Sequence, residues 1–588
     1  MLKIQNVILN NERDPSNRNL YYTFSEQLNS FVLDFGTYFN TLWIQSWKEY
    51  TDISSFYLQI KFRGECTISI IQSHLAGIQS QYSGDEEISR VMLYREKLSS
   101  SGLDYIQIKI PKVDLACRMI HFTIEYNKKC DFEYIDGFYA VPNCASSHPI
   151  KTAIIICTYK RERHLQANIK TLKKYFNSNQ DLAEIYDVFI VDNDSSLPRD
   201  IESNNIYLFP NKNTGGSGGF ARGILEALRA ETKYTHVILM DDDIKINTES
   251  LHRTYALSSL INDHYSRSFI SGSMLRSDIK DFQWEARARI NGLRLDLYSA
   301  LSLSEFSNLL RNEAFSTKHT PYDYAAWWYC CIPLNNIGLN KLPFPFFIRG
   351  DDIDYSLKYA DKIIHLNGIC VWHEPFDSRR SNVMDIYMAI RNFFTINILH
   401  KISLVVSVCE LAQIFAGNIF TYNYSGAYLV YCGLSDAITE KEIFREDQLA
   451  LLGRYKQYNE VEEEVSIDIE KAIKKTNFNF LQKILAILTY GGHLLPSFLF
   501  RKQALSTAGY VVSISKCFLS KQVIIYNPVT GKSIVRNINR LKAFSLSFRF
   551  ASLLLKFIFG YAGIARQVHK KEQNYRTFEF WKNHLELD

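Results

Sequence analysis

The run His236-Val237-Ile238-Leu239-Met240-Asp241-Asp242-Asp243-Ile244 constrains this chain more than any other: an apolar stretch of strand character ends in three consecutive carboxylates. Folding alone does not ask for adjacent anions, which repel one another and normally need a compensating cation. Alternation at a strand end points Asp241 and Asp243 one way and Asp242 the other, so the first and third can share one divalent ion. A solvated acidic loop is the bland alternative, and the surrounding sequence weighs against it.

Upstream, Ala153-Ile154-Ile155-Ile156-Cys157 is a continuous apolar strand that stops at Thr158 and Arg161, followed by a helical spacing of Leu165, Ile169 and Leu172. A second buried strand, Tyr186 to Val191, stops at Asp192, and a short one lies around Ile206-Tyr207-Leu208. Strand, helix, strand, loop, helix, strand predicts a parallel α/β sheet with its ligands off the carboxyl ends of the strands. Thr158, Arg161, Asp192 and Asp241 all fall at such ends. Between the last two strands, Asn213-Thr214-Gly215-Gly216-Ser217-Gly218-Gly219 lacks the Lys-Ser/Thr of a phosphate loop and does not follow the first strand as a dinucleotide loop does. It reads either as a flexible turn or as a backbone cradle for phosphate or sugar, with a helix expected from Ala221 to Glu231.

A third block runs from Asp323 to Asp377. Trp327-Trp328 is a sugar-stacking platform or core filling, with equal claims. Asp351-Asp352 opens a helix after Pro343-Phe344-Pro345-Phe346-Phe347-Ile348-Arg349-Gly350. Helix capping can use one of these carboxylates, which leaves the other placed to take a proton from a sugar hydroxyl. His373, ending the strand Ile369 to Trp372, completes an Asp-x-Asp plus His set suited to Mn²⁺ or Mg²⁺.

Three divisions are expected. Residues 1–148 read as an antiparallel β-sandwich or jelly roll, from runs such as Phe56–Phe62, Tyr105–Ile110 and Ile120–Ile124. An aromatic island at Asp34–Asn40 and Trp43–Trp47 either packs against the next domain or contacts ligand. Residues 149–382 are the α/β part, and 383–588 turn mainly helical, with Glu460–Ala472 as a charged helix candidate and Gln522–Lys532 as a strand and turn. The apolar stretches 481–500 and 543–564 are interrupted by Gly491, Gly492, His493 and Pro496, and by Arg549 and Lys556, so neither reads as a clean membrane span. Basic residues around them, including Arg501, Arg540, Arg566 and Lys570, suit an anionic lipid surface, while an ordinary helical domain with a solvated basic side is the alternative. A net charge of +5 is too small to argue for nucleic acid. Eleven cysteines without framework spacing predict reduced thiols in a cytosolic protein, and no secretory signal is expected from Met1–Asn6.

Taken together, the β-rich start, Cys157-Thr158-Tyr159-Lys160-Arg161, the glycine stretch, Asp241-Asp242-Asp243, Trp327-Trp328, Asp351-Asp352, Trp372-His373 and Tyr387-Met388-Ala389-Ile390-Arg391-Asn392 resemble the polymerising galactofuranosyltransferases of bacterial galactan synthesis, inverting GT-A enzymes. The resemblance implies a UDP-galactofuranose donor and an α/β GT-A central domain. It further implies Mn²⁺ or Mg²⁺ on Asp241, Asp243 and His373, and Asp352 as general base with Asp351 beside it on the sugar. Thr158, Arg161, Asp192, Asn213, Gly215, Gly216 and Asp242 would serve the nucleotide and Trp327 and Trp328 the sugar and acceptor pocket. Thr214 stands where that pattern has an apolar residue, which touches donor fit more than chemistry. A lipid-linked glycan acceptor and the inner face of the cytoplasmic membrane are implied partners, and a homo-oligomer is compatible with the reading. The rivals are an inverting GT-A transferase using UDP-glucose, UDP-galactopyranose or dTDP-rhamnose, and a non-catalytic glycan-binding protein. A glycoside hydrolase needs two separated carboxylates and leaves the three-Asp run unexplained.

Overall fold

The computed structural model describes residues 1–9, 15–76, 87–114, 116–143, 148–298, 300–375, 381–439, 441–465, 479–507, 512–527 and 530–587. It is a mixed α/β architecture with a folded antiparallel sheet at the N-terminus and a largely helical C-terminal region.

The central seven-stranded sheet has the order Ile206–Pro210, Tyr186–Asp192, Thr152–Thr158, His236–Asp241, Cys330–Pro333, Phe269–Ser271, Ile363–Ile364. Its first four strands are parallel, while Cys330–Pro333 runs antiparallel to both of its neighbours, so the sheet is mixed and not wholly parallel. The strand residues alternate between two hydrophobic cores, as a period of two demands. Ile154, Ile156, Val188, Ile190, Ile238 and Met240 join the core shared with the N-terminal sheet. Ala153, Ile155, Phe189, Val191, Val237 and Leu239 face the helix Gly215–Arg229 and share a core with the C-terminal helices. Chain order reverses between Thr152–Thr158 and His236–Asp241, which opens a crevice at their carboxyl ends.

The N-terminal β region is one eight-stranded antiparallel sheet folded around a single 20-residue strand, Tyr57–Ala76. Its first part pairs with Ile106–Lys109 and Glu133–Val141, and its second part with Glu87–Ser101 and Met119–Asn127. Register shifts at Lys61/Phe62 and Ile70/Ile71 let it bend, and ring contacts such as Phe35–Tyr134 and Phe122–Tyr139 join the two halves. The aromatic island is packing: Trp43 and Trp47 are 0% exposed. Beside it, Ser46 N–H donates to Glu313 (2.8 Å), Tyr50 OH to Ser316 O (2.9 Å), and Arg253 to Phe39 O.

The C-terminal region adds helices Ala389–Leu399, Leu404–Phe420, Tyr424–Ala437 and Arg540–Tyr575, with a three-stranded sheet of Arg501–Thr507, Ser520–Tyr526 and Ser533–Asn537. Of the charged segment 460–472, Glu460–Val465 is not helical and the rest lies outside the described residues. The interrupted stretch 543–564 forms part of one 36-residue helix, long and apolar enough to cross a membrane by length and composition, because neither Arg549 nor Lys556 breaks helical geometry. The ten cysteines among the described residues are free thiols.

Candidate active site

The three consecutive carboxylates leave their strand in different directions. Asp242 turns inward, accepting from Thr158 Oγ1 (2.7 Å) and Arg161 Nη1 (3.1 Å), while Asn168 Nδ2 fixes the backbone through Asp242 O (3.1 Å) and Ile244 O (2.7 Å). Arg161 reaches Asp243 with the same nitrogen (2.5 Å), so a guanidinium bridges two of the anions. Asp241 and Asp243 meet His373, with donor atoms all within 4.8 Å of one another. His373 arrives there by strand pairing: the two-residue strand Lys245–Ile246, directly after the acidic run, pairs Lys245 with Trp372. Ser273–Arg276 supports the histidine from the other side. Its Nε2 lies 3.2 Å from Asp243 Oδ1 and its Nδ1 2.5 Å from Glu374 O.

Electrostatics follow from this crowding. Burial and then Asp243 push the Asp241 carboxyl well above its usual range. Burial also raises Asp242, against the pull of Thr158 and Arg161. Burial opposes the charge on His373, yet Asp243 raises its proton affinity overall. Two carboxylates and an imidazole that share one space are a donor set that fits a divalent cation taking oxygen and nitrogen ligands.

The glycines of this stretch lie within a helix and not in a turn. Helix Gly215–Arg229 starts at its first glycine, six residues earlier than Ala221. The glycines are there for close packing: a methyl at Gly218 would lie 1.6 Å from Thr214 Oγ1, at Gly219 2.1 Å from Cys157 Sγ, and at Gly223 2.2 Å from Ile155 Cγ2. Gly215 has φ +73°, and its N–H donates to Asn213 Oδ1 (3.0 Å). A methyl on Gly216 would lie 3.5 Å from Asp351 Oδ2, and Ser217 Oγ donates to that same oxygen (2.9 Å). The helix start therefore faces the second acidic cluster.

That cluster opens helix Asp351–Tyr359, whose N-cap is Gly350, so neither aspartate is the cap. Asp351 is buried and Asp352 half-buried, its Oδ1 accepting from Ile353 N–H (2.8 Å). Burial, followed by the charge of Asp351, pushes Asp352 up to about 7. Asp351 is also raised by burial, with Ser217 opposing.

Other expected residues are placed less directly. The Asp192 carboxylate accepts from Asp194 N–H (3.0 Å) and Leu197 N–H (2.8 Å), shaping the turn beside Thr158. Trp327 is core, 5% exposed, with its ring against Phe220 and Tyr355. Trp328 is half-buried and donates to Gly272 O (2.8 Å). Two residues that sequence reading passed over stand beside these carboxylates. Ser217 was hidden among glycines. Glu285, on strand Phe282–Glu285, is pushed up to about 8 by burial and then by Asp352, and no local motif marks it.

No family model matches the chain. Over 205 residues it is 27% identical to the galactofuranosyltransferase GlfT2 of Mycobacterium tuberculosis, covering 32% of this chain and 31% of that protein. It is 26% identical over 206 residues to GlfT2 of Mycolicibacterium smegmatis, covering 32% and 30%. The matched stretch thus spans about a third of the length of these relatives, a distant homology. Among solved structures, a Clostridium thermocellum xylanase 10B with its CBM22-1 and GH10 modules is 11% identical, covers 30% of this chain and 34% of that one, and has a TM-score of 0.13. At that score the likeness carries no argument. The candidate divalent-cation cluster and the distant homology are consistent with a metal-dependent glycosyltransferase reaction in general.

Proposed function

We propose that this chain is an inverting, metal-dependent galactofuranosyltransferase that moves galactofuranose from UDP-galactofuranose to a hydroxyl of a lipid-linked glycan. The observation that carries the reading is the meeting of two acidic clusters in one crevice. Asp241, Asp243 and His373 lie at a strand end, and Asp351 is close enough to Asp241 to raise its proton affinity. The strand order, with its reversal between Thr152–Thr158 and His236–Asp241, supports a GT-A assignment for residues 149–382. Residues 1–148 would be an accessory β domain and 383–588 a helical domain.

Asp241, Asp243 and His373 would hold Mn²⁺ or Mg²⁺, which when bound supplies charge stabilisation for the departing diphosphate. Thr158 and Arg161 hold Asp242 so that its neighbours face the crevice. Thr158, Arg161, Asp192, Asn213, Gly215, Gly216 and Asp242 form the nucleotide side, with Trp328 nearer the sugar than the buried Trp327. Asp352, once deprotonated, accepts the proton of the acceptor hydroxyl as that oxygen attacks C1 from the face opposite UDP, so the C1–O bond to UDP breaks as the new one forms. Asp351 would bind sugar beside it. The chain would work in the cytoplasm at the inner face of the membrane.

UDP release from UDP-galactofuranose with Mn²⁺ and a galactofuranose- or galactose-terminated acceptor tests this, beside UDP-galactopyranose, UDP-glucose and dTDP-rhamnose and an EDTA control. Turnover confined to the furanose donor and lost with EDTA is the expected result. Turnover of another nucleotide sugar keeps the transferase and removes the furanose assignment.

A further inference from the structure

The backbone entering Asp351 is left-handed at three of its last four positions: φ is +76° at Phe347, +65° at Arg349 and +94° at Gly350. For Phe347 and Arg349, which carry side chains, this conformation costs roughly 1–3 kcal/mol each and persists only where surrounding structure over-determines it.

Helix Ala389–Leu399 supplies that determination. Asn392 Nδ2 donates to Ile348 O (2.8 Å) and Arg349 O (2.7 Å), with a longer contact to Phe346 O (3.4 Å). Arg391 Nη2 donates to Phe346 O (2.9 Å), and its Nε donates to Asn392 Oδ1 (2.8 Å), which fixes the amide so that its nitrogen faces the turn. The remaining guanidinium nitrogen, Nη1, donates to Gln448 Oε1 (2.7 Å), and Gln448 is itself held through Ile443 O (2.8 Å) and Glu446 O (3.0 Å). Both Arg391 and Asn392 are 0% exposed. An apolar side chain would fill that space without burying a charge, so packing alone does not call for an arginine here. From the opposite side, Ser217 N–H donates to Phe347 O (3.3 Å) while its hydroxyl holds Asp351. Gly350 rests on the same helix, where an added methyl would come within 2.8 Å of Ile396 Cδ1.

We propose that Arg391 and Asn392 are positioning residues that hold the left-handed Phe347–Gly350 turn and so aim the Asp351–Asp352 pair into the crevice. The inference rests on the transferase reading for what that aim serves.

The test uses the full chain as Asn392→Ala, Gly350→Ala and Asn397→Ala. The last removes a buried hydrogen bond of similar length on the same helix, Asn397 Nδ2 to Ser407 Oγ (2.9 Å), away from the turn. Hydrogen–deuterium exchange read by mass spectrometry should quicken in peptides covering 346–354 for Asn392→Ala and Gly350→Ala, and not for Asn397→Ala. With UDP-galactofuranose, kcat of the first two should fall about 10- to 100-fold, the scale of an ångström-sized misplacement, with donor KM little changed. Gly350→Ala keeps the test open if Asn392→Ala fails to fold. Unchanged exchange at the turn, donor KM rising with kcat intact, or an equal kcat loss in Asn397→Ala would each overturn the inference. If the unaltered protein turns over no nucleotide sugar, the proposed function fails, and the exchange pattern alone decides the clamp.

Discussion

Asp243 at the strand end and Asp352 at the helix start each stand beside another carboxylate, but their surroundings differ in kind. Asp243 has Arg161 Nη1 at 2.5 Å and His373 Nε2 at 3.2 Å, so it is set beside a guanidinium and an imidazole. Asp352 Oδ1 accepts from the Ile353 N–H, and the charge that bears on it is that of Asp351, while Asp352 in turn raises Glu285. Burial and like charge let it hold a proton near neutrality, which suits the general base proposed for it. Asp354, on the same helix, makes the contrast sharper. It is 0% exposed, yet Arg576 Nη2 at 2.8 Å and His400 Nε2 at 2.9 Å keep its carboxyl below the usual range despite burial. One helix thus carries a structural anion and a titrating pair within a single turn, and the placement of cations decides which is which.

The comparison breaks most directly at Asp352. Asp352→Asn should lower kcat by about 10³-fold, within the range general-base removal gives, while UDP binding measured by calorimetry stays near that of the unaltered protein. Equal loss of both would mean that Asp352 serves binding and not proton transfer. Asp243→Ala attacks the other side. It should cost on the order of 10²-fold in kcat/KM and abolish the Mn²⁺-dependence of UDP affinity, because charge on the diphosphate loses its stabilising partner. UDP affinity that still depends on Mn²⁺ in this variant would move the metal elsewhere.

A third expectation concerns pH. Burial and the charge of Asp351 push Asp352 up to about 7, above its unfolded value, so under the proposed mechanism it is free to accept a proton only as pH rises through neutrality, and kcat should rise there. Stability runs the other way: a group whose folded value is raised contributes stability that is present below its unfolded value and lost as pH climbs through the folded one. Urea midpoints should therefore fall between the unfolded value of 3.8 and about 7, mostly before activity rises, and Asp352→Asn should flatten the decline. A midpoint independent of pH over that interval would show that the pair is not held up by burial.

Much of this could be read from the chain and some could not. Strands such as Ala153–Cys157 and His236–Met240 were legible because buried parallel strands are continuous apolar runs. The strand-end positions of Thr158, Arg161, Asp192 and Asp241 followed from the same pattern. The sheet's antiparallel member Cys330–Pro333 was not legible, since direction leaves no mark on a four-residue run. The glycine helix was misread because glycine signals a turn locally, while here tertiary crowding by Cys157 and Ile155 selects it within a helix. Trp327 shows the same limit: paired indoles look alike whether they face sugar or core, and only the contacts with Phe220 and Tyr355 decide. Glu285 and the function of Arg391-Asn392 depend on pairings far apart in the chain, which spacing does not encode.

The smallest expected effect lies at the C-terminal surface, where the long helix has two unlike sides. Phe550 and Phe557 are buried, stacked on Phe415 at 4.0 Å and set edge-on to Phe394 at 4.8 Å, whereas Phe548 and Phe559 are 78% and 86% exposed. Nearby helix Phe480–Leu488 likewise exposes Leu481 (74%) and Leu488 (71%). Crossing a bilayer would require the packed side to leave its partners, so the membrane contact proposed for this chain is an in-plane seat on the surface. Full burial of one such side chain is worth about 1.5–3 kcal/mol, and shallow insertion realises only part of it. Phe548→Ser with Phe559→Ser should therefore reduce co-sedimentation with vesicles containing anionic phospholipid by about tenfold, while turnover of a short soluble acceptor stays unchanged. Binding that persists in the double variant but disappears at high salt would assign the seat to the basic residues alone, and binding that resists both would argue for insertion of the whole helix.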